Sequence, residues 1–466
     1  MSDRTTTLCE TTDEAVPLTS LRADALENWK ADHGDWADWV SATGFTAKAG
    51  ETCPLPGASG GLGRMLVGLG DKPDPVTGDL WTWSLLAESL PEGIYDLESQ
   101  DAGDEVALGW ALSLYRFDRY KTLPKPTARL CWPDGCDRDR VRRMTEAVCL
   151  VRDLINTPAA DLGPADLADA AAEVARAYGA KVQAIIGGDL LNENYPAIHA
   201  VGRAGAQEPR LIDLTWGDET APKVTLVGKG VCFDSGGLDI KPAEFMKLMK
   251  KDMGGAAHVL GLAQLIMDAK LPVRLRVLIP AVENSVSGEA MRPMDVIPTR
   301  DGKTVEIGHT DAEGRVVLAD ALAEASADKP EIIIDCATLT GAARVALGTD
   351  LPALFCNDDS LADDLLKAGM AQGDPLWRLP LWDPYRPKID GKTAMLTNDA
   401  EGRYGGAITA ALFLREFVGA EIPWIHIDMM AWNGGSRPGR PEGGEAQGLR
   451  ALFALLEQRY DRAGSR

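Results

Sequence analysis

The 466-residue chain predicts an α/β fold with a mixed, mostly parallel central sheet flanked by helices. Three observations carry that expectation. From about residue 224 onward, short apolar runs alternate with segments of helical spacing, the pattern of strands joined by crossover helices. The run Ile332-Ile333-Ile334 offers apolar side chains to both faces, as a strand covered by helices on each side must. The residues with unusual chemistry follow directly on the strand-like runs, where ligands gather in parallel sheets.

Taken in order, residues 1–125 mix short apolar runs with Gly and Pro; 51–70 reads as loop and 107–120 as a closing helix. Pro124, Pro126 and the Pro133-Asp134-Gly135 turn mark a boundary. The expected division is an N-terminal domain at 1–125, a linker and connecting helix at 126–160, and a larger domain at 161–466. A helix at 137–155 stops ahead of Pro158, because proline disfavours helical geometry in the residue before it. A helix follows at 161–178. Strands are then expected at 224–227, 273–282, 331–336 and 424–429, and helices at 254–269, 316–326 and 407–418.

Composition narrows the function. With 48 basic and 70 acidic residues the net charge is −22, which repels phosphate backbones and argues against nucleic acid as a partner. The most apolar stretch, 404–420, is cut by Arg415 and Glu416, so no membrane span is expected. The N-terminus lacks a basic start followed by an apolar run, which points to a cytoplasmic protein whose eight cysteines stay reduced. Cys131 and Cys136 have no second pair at zinc-finger spacing. Among five histidines there is no His-Glu-x-x-His, which excludes a single-zinc protease of that kind.

Three segments carry the unusual residues. The first, 228–242, embeds Lys229, Asp234, Asp239 and Lys241 among glycines. The second is Asp252-Met253-Gly254-Gly255-Ala256-Ala257, opening a helix. The third is Thr310-Asp311-Ala312-Glu313-Gly314-Arg315, where Asp311 and Glu313, two apart in extended chain, point the same way. Singly, each has a structural reading: Asp252 and Asp311 as helix caps, the glycine turn as a phosphate cradle without the Gly-x-x-x-x-Gly-Lys-Ser/Thr spacing. Together, four carboxylates converging at strand ends require cations to neutralise them. Two divalent metals do so and make a catalyst; Mn, Mg, Zn and Co all suit such ligands.

These three segments resemble, in order and internal spacing, the signatures of the leucyl aminopeptidase family. Weaker similarity at 115–121, 156–158, 337–342 and 405–411 extends the resemblance over roughly 105–450. It implies a metal-dependent aminopeptidase that removes the N-terminal residue of peptides through a water bridging two divalent ions. Asp234 and Glu313 would bridge the ions, Asp311 complete the more exchangeable site, and Lys229 and Asp252 complete the tighter one. Lys241 would polarise the scissile carbonyl, and Arg315 would hold a bicarbonate that relays a proton. Met249 and the Thr338-Leu339-Thr340-Gly341 loop would line the substrate pocket. The resemblance further implies a homohexamer and a smaller N-terminal α/β domain. The chain departs from the family at His309, where Asn is usual, and at 443–448, which replaces an Ala-Thr-Gly stretch. Two other classes remain: a non-catalytic assembly or regulatory protein on the same fold, opposed by retention of all seven metal-site and catalytic side chains, and a nucleotide-binding enzyme.

Overall fold

The computed structural model describes residues 6–58, 60–74, 76–98, 103–124, 127–402 and 404–461. Residues 125 and 126, at the expected boundary, lie outside them. The chain forms two compact units, Met1–Cys149 with Gly435–Glu442, and Leu150–Gly434 with Gly443–Arg466. Among the described residues no helix is long and apolar enough to cross a membrane.

The N-terminal unit is a smaller α/β domain. Its six-stranded sheet runs Leu8–Cys9, Ala128–Cys131, Gly93–Leu97, Val16–Leu21, Leu62–Gly68, Thr52–Pro56, with only the last pair antiparallel. The stretch 51–70, expected as loop, therefore supplies two strands. Pro54 and Pro56 obscured the first of them. It sits at the sheet edge, where a missing N–H is tolerated, and turns Cys53 and Leu55 inward while its other residues face water. The helix expected at 107–120 is Gly103–Ser113.

The larger unit is built on a nine-stranded, mixed sheet. Its centre is four parallel strands in the order Arg274–Asn284, Lys223–Gly228, Ile332–Ala337, Trp424–Asp428. Antiparallel strands flank them: Arg210–Trp216 beside the first, and Ala353–Cys356 beside the last. Each central strand was legible as an apolar run, and Ile332–Ala337 is buried at every position. Helices Gly254–Asp268, Glu313–Ala327 and Gly406–Arg415 pack against the sheet or each other with most of their apolar residues buried.

One helix is anchored by a buried acid. Asp320, on Glu313–Ala327, accepts the N–H groups of Ala197 (2.8 Å), Ile198 (3.2 Å) and Arg300 (2.8 Å), the first two at the start of helix Pro196–Gly202. Asp320→Asn places an NH2 against donor N–H groups, so stability is expected to fall by about 2–3 kcal/mol. A lower thermal midpoint checks this; an unchanged midpoint would refute the anchoring role.

Candidate functional site

The C-terminal ends of the four central strands converge on one place. Lys229 follows directly on Lys223–Gly228, and the chain continues as Gly230–Asp234, pairing alongside the far half of Arg274–Asn284 so that Asp234 lies opposite Asn284. Thr338 follows Ile332–Ala337, and Asp428 ends the fourth strand. Beyond Asp234 the chain doubles back through Gly236 and Gly237, whose φ of +88° and +65° lie in the left-handed region that favours glycine. That turn returns Lys241 to the acid, its N–H bonding the Ser235 carbonyl at 2.9 Å.

Asp252 and Asp311 do not cap the helices they precede. Asp252 lies in the 3-10 turn Met249–Met253, and its carboxylate is taken by the Lys229 ammonium (2.6 Å) and the Thr338 hydroxyl (2.7 Å). Gly255 lets the following helix press onto the sheet: a Cβ there would come 2.0 Å from the Cys336 carbonyl oxygen. Glu313 is the first residue of its helix, so Asp311 and Glu313 do not share an extended segment. Glu313 turns inward at 1% side-chain exposure and Asp311 stays at 29%.

The result is a buried carboxylate cluster. One oxygen from each of Asp234, Asp252 and Glu313 lies within 4.8 Å of the others. Lys229 bridges Asp252 and Glu313 (2.6 and 2.9 Å), and Lys241 bridges Asp234 (2.8 Å) and Asp311. Asp311 thus joins the group through Lys241. Asp234 also accepts from Asn284 Nδ2 (2.8 Å) and Gly236 N–H (2.9 Å). The lysines do not satisfy the cluster: both Glu313 oxygens, Oε1 and Oε2, are buried with no hydrogen-bond donor. The Lys229 ammonium approaches Glu313 at ion-pair distance but outside hydrogen-bonding geometry. Buried carboxylate oxygens without donors are costly and suit divalent cations.

The charges are strongly coupled. Burial, then repulsion from Asp252, pushes the Asp234 carboxyl up to about 6. Burial, then Asp234, pushes Glu313 up to about 8. Burial acts upward on Asp252 too, but Lys229 and Lys251 outweigh it and hold the group below the usual range. For both lysines burial opposes the charge and the carboxylates prevail, raising them above the ordinary lysine value.

A cavity of about 870 Å³ opens onto the cluster and is also lined by Met249, the Thr338–Gly341 loop and Arg315. Every expected site residue therefore lies in the cluster or on this cavity. Arg315 donates to the Asn398 carbonyl (2.8 Å), while its Nε is buried without a partner. His309 Nδ1 accepts the Asp311 N–H at 3.1 Å, so it props the loop that carries that acid. In the divergent 443–448 stretch, Glu445 pairs with buried Arg152 (2.9 Å), and Gln447 donates its backbone N–H to His258.

Sequence reasoning missed several supporting residues. Asn284 orients Asp234 from the neighbouring strand. Asp428 accepts from Leu339 N–H (2.9 Å), Thr340 N–H (3.1 Å) and the Thr340 hydroxyl (2.6 Å), fixing the pocket loop. The available signal was position: both are polar residues closing buried strands.

Residues 149–453 match the cytosol aminopeptidase family, catalytic domain, and residues 16–133 match the M17 aminopeptidase N-terminal domain. A probable cytosol aminopeptidase of Brucella melitensis is 40% identical over 92% of each chain. One from Roseiflexus castenholzii is 42% identical over 80% of this chain and 78% of its own. Among solved structures, a cytosol aminopeptidase from Coxiella burnetii superposes with a TM-score of 0.93 at 50% identity, covering 98% of this chain and 100% of its own. The bottromycin maturation enzyme BotP in complex with Mn superposes at 0.85 and 35% identity, covering 96% and 99%.

Proposed function

The chain belongs to the cytosol aminopeptidase family and is a peptidase; from that premise we propose that it is a metal-dependent aminopeptidase that removes the N-terminal residue of peptides in the cytoplasm. The observation that carries this is the buried Asp234, Asp252 and Glu313 cluster, in which neither Glu313 oxygen has a protein hydrogen-bond donor. Lys229, Asp234, Asp252, Asp311 and Glu313 would hold two divalent ions, Mn or Zn, with Mg or Co also compatible with the donors. Ions bound there supply Lewis acidity to the scissile carbonyl and a positive field that favours ionised water at neutral pH.

The chain's own groups do the rest. Lys229 serves as a ligand only when neutral, and two adjacent dications favour loss of its proton. Lys241, at the cavity wall, donates to the oxygen on which negative charge develops, which lowers the barrier to the tetrahedral state. Arg315, a buried cation with an unpartnered N–H on the same cavity, suits a small anion such as bicarbonate that passes a proton between water and leaving amine. Met249 and the Thr338–Gly341 loop hold the first residue. A free amino group beside the acidic cluster explains exopeptidase selectivity, and assembly follows the family as a homohexamer.

Chelated protein is expected to lose hydrolysis of leucine p-nitroanilide and to recover it with added Mn2+ or Zn2+, while an N-acetylated substrate stays intact. Turnover indifferent to chelation, cleavage of the blocked substrate, or no turnover with any metal would each defeat the proposal; the last would favour a non-catalytic protein.

A further inference from the structure

Lys251 is among the charged side chains of the cavity that have no place in the reaction just described. Lys251 is 1% exposed, lines the cavity, and makes no side-chain hydrogen bond or ion pair with any described residue. An unpaired buried ammonium is costly, and such groups concentrate at functional sites. A second cation shares the wall. Arg344, on helix Gly341–Leu347, lines the same cavity, its guanidinium has one hydrogen-bond partner among the described residues, the Met430 sulfur (3.4 Å), and its charge opposes that of Lys251.

No acid among the described residues forms an ion pair with either cation. Asp252 and Asp428 are felt at Lys251, yet both have their oxygens engaged: Asp252 by Lys229 and Thr338, Asp428 by Leu339 and Thr340. Elsewhere on the cavity, Asp239 is held by the Thr310 N–H (2.8 Å), and Glu244 is exposed on the short helix Ala243–Met246, where solvent screens it. The wall formed by Lys251 and Arg344 thus presents two cations without an ion-pair partner among the described residues, in a protein of net charge −22.

Resting on the aminopeptidase reading, we propose that Lys251 and Arg344 form a carboxylate-binding wall that selects peptides whose N-terminal residue is Glu or Asp. The placement argues for that side chain rather than a more distant group. Lys251 immediately precedes Asp252 in the turn Met249–Met253, and Thr338, which grips Asp252, lines the same cavity. Lys251 therefore borders the acidic end of the cavity, where the substrate's free amino group would sit, and Arg344 lines the same cavity within electrostatic reach of it. The same charges repel an N-terminal Lys or Arg.

The test is a panel of p-nitroanilides of Glu, Asp, Leu and Lys with metal-loaded protein, none carrying a C-terminal carboxylate, alongside Leu-Gly and Leu-Gly-amide. Wild type is expected to cleave the Glu anilide about 100-fold better, in kcat/KM, than the Lys anilide. Lys251→Met is expected to cut the Glu-to-Leu ratio by about 30-fold, Arg344→Met by about 10-fold, and Lys251→Arg to restore most of it. Leu-Gly and its amide should respond alike to these changes. A Glu-to-Leu ratio unmoved in both Met variants overturns the inference. So does a selective loss of Leu-Gly against its amide, which assigns the wall to the peptide's C-terminus. Both results leave the aminopeptidase reading standing, since it rests on turnover of the Leu anilide. If Lys251→Met does not fold, the Arg344→Met ratio decides.

Discussion

Asp234→Ala is expected to lower kcat/KM on an aminoacyl anilide by about 10⁴-fold, with the fold intact. Asp234 is the acid on which the site converges, bonded to Asn284, Gly236 and Lys241 and within reach of Asp252 and Glu313. Its removal takes a ligand oxygen from each expected ion and leaves Lys241 with Asp311 alone. The effect on stability is small because two contributions oppose. Losing an acceptor for buried donors costs about 1–3 kcal/mol, whereas deleting an acid that burial and Asp252 already disfavour in its charged form relieves repulsion. Ligand linkage supplies a readout independent of turnover. Mn2+ at 100 times its Kd should stabilise wild type by about 2.7 kcal/mol and the variant by much less. Equal thermal shifts, or retained turnover, would show that the cluster is not the metal centre.

Gly314→Ala is expected to cost about 10²- to 10³-fold in activity, although helix propensity alone favours alanine by about 1 kcal/mol. Gly314 is the second residue of its helix, and a Cβ there would lie 2.4 Å from Lys229 Cε and 2.7 Å from its Nζ. A flexible lysine could ordinarily yield. This one is 3% exposed and pinned between Asp252 and Glu313, so yielding means leaving both acids. Activity measured beside circular dichroism checks this, and wild-type turnover in a folded Gly314→Ala protein would show that Lys229 has slack.

The catalytic candidates were readable because neither core packing nor a solvated surface calls for glycine, lysine and carboxylate in a fixed short order. What supports them was not. Nothing local marks Asn284 as the partner of Asp234, fifty positions earlier, until adjacent strands bring them to 2.8 Å. Lys251 reads on paper as one more surface lysine in Lys250-Lys251-Asp252; only the packing of its turn buries it while Lys250 reaches the Asn156 carbonyl. The edge strand Thr52–Pro56 was hidden because its prolines suggest a loop, and edge position is a property of the assembled sheet.

By itself the sequence determined the strand and helix periodicities of the larger domain, the family and the set of acids and lysines, since these rest on side-chain type and short-range spacing. The tertiary structure decided which acids touch, which lysine serves each, and which cations are left without an ion-pair partner among the described residues. Those outcomes depend on the order of the central strands, 274–284, 223–228, 332–337 and 424–428, which is not their order along the chain. Contacts between segments a hundred residues apart are set by burial of both sheet faces, a balance over the whole domain that no local pattern encodes.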